Sequence, residues 1–378
     1  MTITTCPILQ FGTSRFLQAH VDLFVCEAAR RHPDDALGKI AVVQTTTSPQ
    51  SRARIEALRA TGRYPVRIRG LQRKQTVDLT IECDSVAQAL HADDDWLALI
   101  ERIRDQVEVI VSNTADNGYA LFAEDTASTL AAGSAPRGFA AKLAVLLHER
   151  YRAGGKAITV LPCELISRNG DVLRDLVMSV ARGWHMEPGF LHYLAHDCIW
   201  VNSLVDRIVS EAIDPVGAVA EPYALWAIER QEGMVLPCRH ESIIVTDDLA
   251  HFERLKLFLL NLGHTMLAEF WLGSRGEAGT TVLDGMRNES WRGALESTWK
   301  DEVFPVFEAL GQYEIASKYL DDVRDRFENP FLAHRLADIA GNHQEKKQRR
   351  LKPVVDLAGE LGIRVEQKRL RHALGGGI

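Results

Sequence analysis

The segment CPILQFGTSRFLQAHVDLFVCEAARR, residues 6–31, decides the fold class of this chain. It begins as a short apolar run that ends at Gly12, and it continues from Phe16 with helical periodicity. A short apolar strand that leads at once into a helix is the opening half of a β-α-β unit. The segment therefore predicts a parallel sheet with helices beside it.

The same alternation of strand and helix continues through the first half of the chain. Helical patterns at 51–60 and 139–153 separate further apolar runs, which we predict as strands at 39–47, 107–114, 156–164 and within 195–209. Short apolar strands that alternate with helices indicate a parallel sheet covered on both faces. The region 64–84 alternates without helical periodicity, and we predict an antiparallel or peripheral hairpin there.

After about residue 215 the pattern becomes helical to the end of the chain. Its most apolar part is VTDDLAHFERLKLFLLNLGHTMLAEFWLG, residues 245–273, which is apolar nearly all round and therefore predicts a buried helix. We predict an α/β domain over residues 1–212 and an all-α domain over residues 213–378.

Composition narrows the classes of partner. The chain of 378 residues has 46% hydrophobic and 25% charged residues, with a net charge of −7 and a pI near 6.0. These values disfavour nucleic acid as a partner, and no apolar run is long enough to cross a membrane. Six scattered cysteines without a CxxC pair predict reduced thiols and a cytoplasmic location. The oligomeric state cannot be read from the pattern.

The join between the first strand and the first helix, FGTSRF at 11–16, is a candidate phosphate site. It holds the single Gly12 and no GxGxxG pattern, so an ordinary strand-to-helix turn remains an alternative. Arg15 could contact a pyrophosphate or lie in solvent.

The second strand ends at Gln44 without a carboxylate, and Arg52 and Arg54 follow. NADP is therefore possible beside NAD, although both arginines could belong to a solvated helix face.

Polar residues follow three more strands. Ser112, Asn113 and Thr114 end one strand, Glu164 follows another, and Asn202 follows a third. Ligands of open α/β sheets bind at the carboxyl ends of strands, so these residues predict a cofactor crevice. Turn chemistry is the alternative interpretation.

Lys256, Asn261 and His264 lie within the predicted buried helix. At α-helical periodicity, Asn261 lies about 140° and His264 about 80° around the helix from Lys256. A desolvated lysine can act as a general base, an asparagine amide can stabilise an alkoxide, and a neutral histidine can orient a hydroxyl group. The alternative is a lysine that reaches solvent, a capping asparagine and a core histidine, and spacing alone favours it.

Several segments together resemble one family. They are ILQFGTSRFLQAH, SNTADNGY, LPCELISRNGD, NSLVDRIV, the K-x4-N-x2-H set at 256–264 and NPFLAHRLADIAGNHQEKKQRRLKP. In this order they resemble the polyol-specific long-chain dehydrogenases, which include mannitol dehydrogenase, tagaturonate reductase (altronate oxidoreductase) and fructuronate reductase. The resemblance implies a Rossmann-type N-terminal domain, a helical C-terminal domain, and NAD(P)-dependent hydride transfer without a metal. It implies a small sugar alcohol or sugar acid as substrate.

The resemblance also assigns roles. Lys256 would be the general base in oxidation and the acid in reduction, Asn261 would stabilise the alkoxide, and His264 would position the substrate. Asn202, Arg335 and Lys346 would contact the substrate, with a solvated basic helix as the alternative for Arg335 and Lys346. The expected cofactor contacts are Phe11, Gly12, Thr13, Arg15, Phe16, Gln44, Ser112, Asn113, Thr114 and Glu164.

Two other classes remain open. A non-catalytic dinucleotide-binding or regulatory protein would be expected to lack catalytic residues, whereas the three candidate catalytic residues of the predicted buried helix are all present. A zinc-dependent polyol dehydrogenase needs clustered ligands, and neither Cys163-Glu164 nor His192, His196 and Cys198 matches a known ligand pattern. We therefore expect no metal. An aldonate, a neutral alditol and, less favoured, a phosphorylated polyol remain as substrate alternatives.

Overall fold

The fold was analysed in a computed structural model, which describes residues 5–46, 48–114, 118–130 and 133–375. The chain divides into two compact units. The first unit consists of Met1–Arg67, Thr80–Ala220 and Ala224–Leu249, and the second of Ile68–Leu79, Glu221–Tyr223 and Ala250–Ile378. The predicted boundary at residue 212 falls within the second segment of the first unit.

The strands are short, and most are buried. They are β1 Ile8–Phe11, β2 Ile40–Gln44, β3 Tyr64–Gln72, β4 Gln75–Cys83, β5 Val86–His91, β6 Val109–Ser112, β7 Ile158–Pro162, β8 Cys198–Trp200, β9 Ser203–Asp206, β10 Val209–Ala212, β11 Ala218–Ala220, β12 Leu225–Glu229 and β13 Ile243–Thr246.

Helices connect the strands of the first unit and build most of the second. They are α1 Arg15–Gln18, α2 Val21–Arg31, α3 Pro49–Thr61, α4 Trp96–Asp105, α5 Phe139–Arg152, α6 Asn169–Gly183, α7 Pro188–His196, α8 Leu249–Leu255, α9 Leu262–Gly273, α10 Val282–Arg287, α11 Glu289–Thr298, α12 Phe304–Ala309, α13 Tyr313–Phe327, α14 Leu336–Ile339, α15 His343–Arg350, α16 Lys352–Glu360 and α17 Lys368–Ala373.

The central sheet of the first unit has the order β5-β2-β1-β6-β7-β8, and every pairing in it is parallel. Successive side chains of a strand point to opposite faces, yet Ile8 and Leu9 are both fully buried. Helices therefore cover both faces, as the sequence predicted. The chain leaves β1 toward β2 and later returns to β6 on its other side. This reversal leaves a crevice at the carboxyl ends of β1 and β6.

The predicted hairpin at 64–84 is confirmed. Strands β3 and β4 are neighbours in a sheet of order β10-β11-β3-β4. Arg73 and Lys74 connect them, with φ angles of 51° and 61°. Two successive residues with positive φ form the type I′ turn, whose twist suits a two-residue hairpin.

The prediction of helices directly after residue 215 is wrong for residues 218–246. This stretch contains β11, β12 and β13, and β12 pairs with β13 and β9 in a third sheet. These strands have only three to five residues, and β12 is buried at four consecutive positions. Such short runs show no period-two alternation, so the sequence pattern could not distinguish them from helix.

The second unit surrounds the predicted apolar helix. Helices α8 and α9 are continuous through a π-helical segment at Lys256–Asn261, so helix runs from Leu249 to Gly273. Trp299, Phe307 and Phe327 pack in the core of this unit. Among the described residues, no helix combines the length and apolar character needed to cross a bilayer.

Candidate active site

The turn between β1 and α1 depends on a glycine. Gly12 has a φ of +111°, and a Cβ atom there would lie 2.7 Å from the carbonyl oxygen of Asn113. Ser14 caps α1 by accepting a hydrogen bond from the Leu17 N–H group, and its hydroxyl group donates to the Asn113 side-chain oxygen at 3.2 Å. The ends of β1 and β6 are therefore held in close contact at the point where the strand order reverses.

Gln44 is the last residue of the neighbouring strand β2, and its side chain is buried. The Thr13 hydroxyl group donates to the Gln44 side-chain oxygen, and the Gln44 amide donates to the Thr46 hydroxyl at 2.6 Å. Arg54 donates to the Thr13 hydroxyl oxygen at 3.4 Å. Arg52 lies in an exposed ion pair with Asp94 at 3.1 Å. Residue 47, at the end of the predicted strand, lies outside the described residues.

Glu164 gathers the polar groups at the ends of β6 and β7. Its carboxylate accepts hydrogen bonds from the Ser112 hydroxyl at 3.1 Å, from the Thr114 N–H and hydroxyl groups at 2.9 and 3.0 Å, and from the Tyr119 hydroxyl at 3.3 Å. Burial raises the pKa of Glu164, and the hydrogen bonds from Thr114 and Ser112 oppose this shift. The structure thus brings three predicted cofactor residues together. Residues 115–117 lie outside the described part.

The side chains of the other predicted cofactor residues differ in their exposure and in their contacts. The side chain of Phe11 is fully buried and packs against Phe139, with 5.2 Å between ring centroids. Phe16 stacks on His20 at 4.8 Å. Arg15 is exposed at the start of α1, where it donates to the Ser210 carbonyl at 3.4 Å.

The side chain of Asn202 bonds to a different set of residues. Its amide donates to Asp171 at 3.1 Å and to Glu229 at 2.7 Å, and its oxygen accepts from the Asp171 N–H group at 3.1 Å. Only 2% of the residue is exposed. Both amide hydrogens are thus already used within the first unit, where they connect the start of α6 to the end of β12.

In the second unit, the π-helical segment sets the geometry of the predicted catalytic residues. The Leu262 N–H group bonds to the Leu257 carbonyl, five residues back. This pattern places Asn261 one turn above Lys256 on the same face. The separation of about 140° expected from α-helical periodicity is therefore wrong. His264 follows three residues later in α9 and lies on the adjoining face.

Burial of the three residues also differs from the expectation of a fully buried helix. His264 is 7% exposed, whereas Lys256 and Asn261 are half-buried. The face that carries Lys256 and Asn261 is therefore partly exposed to solvent. The expectation failed because the sequence pattern treated the helix as apolar all round.

Two rings fix the position of His264. Its imidazole stacks on Phe327 at 4.4 Å and meets His334 edge-on at 4.8 Å. Burial lowers the pKa of His334, the cations Arg350 and Lys346 lower it further, and Asp338 opposes them. Sequence reasoning missed His334 and Phe327, although His334 lies in the late segment that carried the resemblance.

Cations approach this site from α15. The Lys346 ammonium donates to the Ile339 carbonyl at 2.8 Å. Arg350 donates to the Thr265 hydroxyl oxygen at 3.4 Å, and that hydroxyl donates to the Asn261 carbonyl at 2.9 Å. Arg350 lies in the late segment that carried the resemblance, but the sequence analysis assigned it no role. Arg335 is exposed and precedes α14, where it pairs with Thr281 through the backbone.

The zinc alternative depends on whether its candidate ligands form a cluster. Within the described residues, no group of three or more His, Cys, Asp or Glu side chains is placed to hold a metal ion. Burial raises the pKa of Cys163, and it raises the pKa of Cys198 to about 12.

Comparison with known proteins gives the same two-part division. The Mannitol dehydrogenase Rossmann domain model matches residues 6–235, and the Mannitol dehydrogenase C-terminal domain model matches residues 248–373. The chain is 30% identical to an altronate oxidoreductase of Bacillus subtilis over 388 residues, covering 94% of this chain and 76% of the relative. It is 29% identical to that of Halalkalibacterium halodurans over 369 residues, covering 92% and 69%.

Solved structures share the fold. A D-sorbitol dehydrogenase in substrate-free form matches with a TM-score of 0.84 and 22% identity, covering 99% of this chain and 80% of that one. Pseudomonas fluorescens mannitol 2-dehydrogenase, in a ternary complex with NAD and D-mannitol, matches with a TM-score of 0.74 and 18% identity, covering 99% and 78%. Together with the family models, which match most of its length, these findings establish that the chain belongs to the mannitol dehydrogenase family.

Proposed function

We propose that this protein is an NAD-dependent, metal-independent oxidoreductase that interconverts a secondary alcohol of an open-chain polyol or sugar acid with the corresponding ketone. As a member of its family it is a polyol or aldonate dehydrogenase. The observation that carries the detailed proposal is the π turn, because its hydrogen-bond register supports a shared face for Lys256 and Asn261 on the helix that continues to His264.

Lys256 is the proposed general acid and base. During oxidation its neutral amine accepts the proton of the substrate hydroxyl group, and during reduction its ammonium returns that proton to the carbonyl oxygen. Its half-buried position suits this cycle, because the amine can exchange its proton with solvent between turnovers.

Asn261 and His264 are proposed to hold the reacting oxygen. An amide donor one turn from Lys256 can stabilise the alkoxide that develops as the proton leaves. The imidazole of His264 is fixed by its contacts with Phe327 and His334, so it can orient a substrate hydroxyl group at little entropic cost.

The β1–α1 turn fits a dinucleotide. Gly12 permits a close approach between the ends of β1 and β6, and the exposed guanidinium of Arg15 lies at the start of α1, where it can meet a pyrophosphate. Bound NAD would accept or supply the hydride. Gln44, Ser112, Asn113, Thr114 and the bonded Glu164 would shape the crevice beside this turn.

NAD is preferred to NADP in this proposal. A 2′-phosphate needs an available arginine near the end of β2. Arg52 is already paired with Asp94, and Arg54 is bonded to Thr13. NADP remains the second candidate, and comparison of the two reduced cofactors in the same assay will decide between them.

For the substrate we propose a sugar alcohol or a sugar acid. The curated relatives are named as altronate oxidoreductases, and altronate is a sugar acid. Lys346 and Arg335 remain candidate substrate contacts. Asn202 is better suited to positioning, because Asp171 and Glu229 already occupy its amide.

We also propose a cytoplasmic location. All six cysteines are buried and in the thiol state. Widely spaced thiols without disulfides are typical of proteins in reducing compartments.

The experiment is a spectrophotometric assay of NADH and NADPH oxidation, with and without a chelator. The ketones are D-tagaturonate, D-fructuronate, D-fructose, D-tagatose and D-fructose 6-phosphate. We expect chelator-resistant oxidation with at least one ketone. Lys256→Met should remove turnover but leave NADH binding intact, as fluorescence titration would show. Activity that chelation abolishes, or wild-type turnover in Lys256→Met, would overturn the proposed chemistry.

A further inference from the structure

Four cations lie close together on α15, and two of them are neutralised within the protein. Lys347 is 3.3 Å from the Glu269 carboxylate, and only 6% of its side chain is exposed. Arg349 pairs with Glu345 at 3.5 Å, one turn earlier on the same helix, and 68% of its side chain is exposed. One of these pairs anchors the helix, and the other lies in solvent.

The other two cations, Lys346 and Arg350, have only neutral partners. Lys346 donates to the Ile339 carbonyl, and Arg350 donates to the Thr265 hydroxyl oxygen. Within the described residues, no carboxylate forms an ion pair with either side chain, and the charges that lower their pKa values are those of neighbouring arginines. A partly buried cation such as Arg350 is usually paired with an anion, so these two cations have the character of an anion site.

The two side chains converge, because residues four apart on a helix lie on the same face. Burial and the neighbouring arginine charges lower the pKa of Lys346 and of Arg350. An anion bound between them would relieve that repulsion. The pair therefore forms a positive patch that its own protein does not neutralise.

This patch adjoins the catalytic face. The hydroxyl group of Thr265 links Arg350 to the Asn261 carbonyl through contacts of 3.4 and 2.9 Å. Both cations also act on His334, whose ring contacts His264 at 4.8 Å. An anionic group at this place would belong to the same small molecule whose hydroxyl group reacts at Lys256.

We propose that Arg350, together with Lys346, binds the carboxylate of a sugar-acid substrate and sets the preference of the enzyme for sugar acids over neutral sugars. This inference rests on the proposed function and deepens it. A guanidinium matches a planar carboxylate through two parallel hydrogen bonds, whereas an ammonium contributes a single point charge. Arg350 is accordingly the residue that determines specificity, and the ammonium group of Lys346 adds a second positive charge beside it.

The test compares two ketones that differ only in their terminal group, which is a carboxylate in D-tagaturonate and a hydroxymethyl group in D-tagatose. Values of kcat/KM with NADH are measured for wild type, Arg350→Gln and Arg349→Gln. The two variants lose the same charge on the same helix, but only Arg350 adjoins the catalytic face. We expect Arg350→Gln to lower kcat/KM for the ketouronate roughly 10- to 100-fold, because loss of a hydrogen bond to a charged group weakens an interaction by about this factor.

The same variant should lower kcat/KM for D-tagatose far less than for the ketouronate, and Arg349→Gln should change kcat/KM for neither substrate. Arg350→Lys should restore part of the ketouronate activity. An equal loss on both ketones would show that Arg350 only supports Thr265 and Asn261, and would overturn the inference. Preference of the wild type for D-tagatose or for D-fructose 6-phosphate would overturn it as well.

A binding measurement separates failure of this inference from failure of the proposed function. Calorimetric titration of D-altronate into the protein with NADH present forms a complex that cannot react, so the measurement needs no turnover. Weaker binding to Arg350→Gln than to Arg349→Gln would support the carboxylate site even if every ketone were inert. Equal binding to both variants would reject the site while leaving the dehydrogenase chemistry untouched.

Discussion

Replacement of Gly263 by alanine tests the packing that holds the catalytic helix. Gly263 lies in α9 between Asn261 and His264. A Cβ atom there would lie 2.6 Å from Cζ2 of Trp299 and 3.0 Å from Cε2 of Phe327. The first distance is 0.8 Å less than the 3.4 Å at which ordinary contact begins.

Neither ring can yield easily. Trp299 is fully buried, and its indole N–H group donates to the Leu259 carbonyl at 3.2 Å. Phe327 is stacked on His264. Overpacking of this kind costs about 1–3 kcal/mol, and the better helix propensity of alanine returns up to about 1 kcal/mol. We expect a net loss of about 1–2 kcal/mol in the free energy of unfolding.

Thermal unfolding of Gly263→Ala should therefore begin at a lower temperature, with Tm reduced by about 2–8 °C. Gly293→Ala is the matched control, because Gly293 is also helical and nothing lies within 4 Å of the Cβ position. It should be neutral or slightly stabilising. Activity should fall only in Gly263→Ala, since displacement of Phe327 moves His264.

The reasoning would be refuted if Gly263→Ala were as stable as the Gly293→Ala control. A stable variant with lost activity would be equally informative. It would mean that the helix moves as a body without straining Trp299, and that the position of His264 alone is sensitive.

Three further changes test other parts of the structure. Burial raises the pKa of the Asp22 carboxyl group to about 7, although the hydrogen bond from Tyr64 opposes this shift. A carboxyl group whose pKa is higher in the folded than in the unfolded protein contributes stability below the pKa of the unfolded state. That contribution is lost as pH rises through 7. Asp22→Asn should thus gain stability relative to wild type, by a few kcal/mol, between pH 4 and 8 in urea unfolding. Glu221→Gln removes the carboxylate that forms an ion pair with Arg326, where both side chains are 2% exposed, and should cost about 3–5 kcal/mol by the same assay. Glu221→Leu combined with Arg326→Met should recover most of this loss. Gly12→Ala should weaken NADH binding in fluorescence titration, because the φ of +111° and the Asn113 carbonyl both oppose a side chain, whereas the exposed Gly183→Ala should not.

The parts of the fold that rest on strong periodicity could be predicted from the sequence. Strands β1, β2, β6 and β7 and the helices between them follow from apolar runs alternating with helical patterns. The polar residues at their carboxyl ends could be placed together for the same reason, since parallel strands end at one edge. Contacts such as those of Glu164 with Ser112 and Thr114 follow from that placement.

Other features depend on information that periodicity does not contain. The π turn cannot be derived from the sequence pattern, because the extra residue changes the hydrogen-bond register without changing the apolar character of the segment. The partners of His264 come from α13 and from the segment before α14, far away in sequence. Arg350 belongs to a basic run whose sequence pattern is typical of a solvated helix. It is distinguished only by the ion pairs that its neighbours Lys347 and Arg349 form with glutamates.

The π turn has a consequence for anyone who wishes to transplant this chemistry. A π turn is an α-helix with one residue inserted, so the K-x4-N spacing at 256–261 has meaning only in the wider helix. Copied onto a regular designed helix, the same letters would point the lysine and the amide about 140° apart. A graft that keeps both side chains on one face would instead carry K-x3-N, since residues four apart share a face of the regular helix. Faithful transfer of the function thus requires an altered motif.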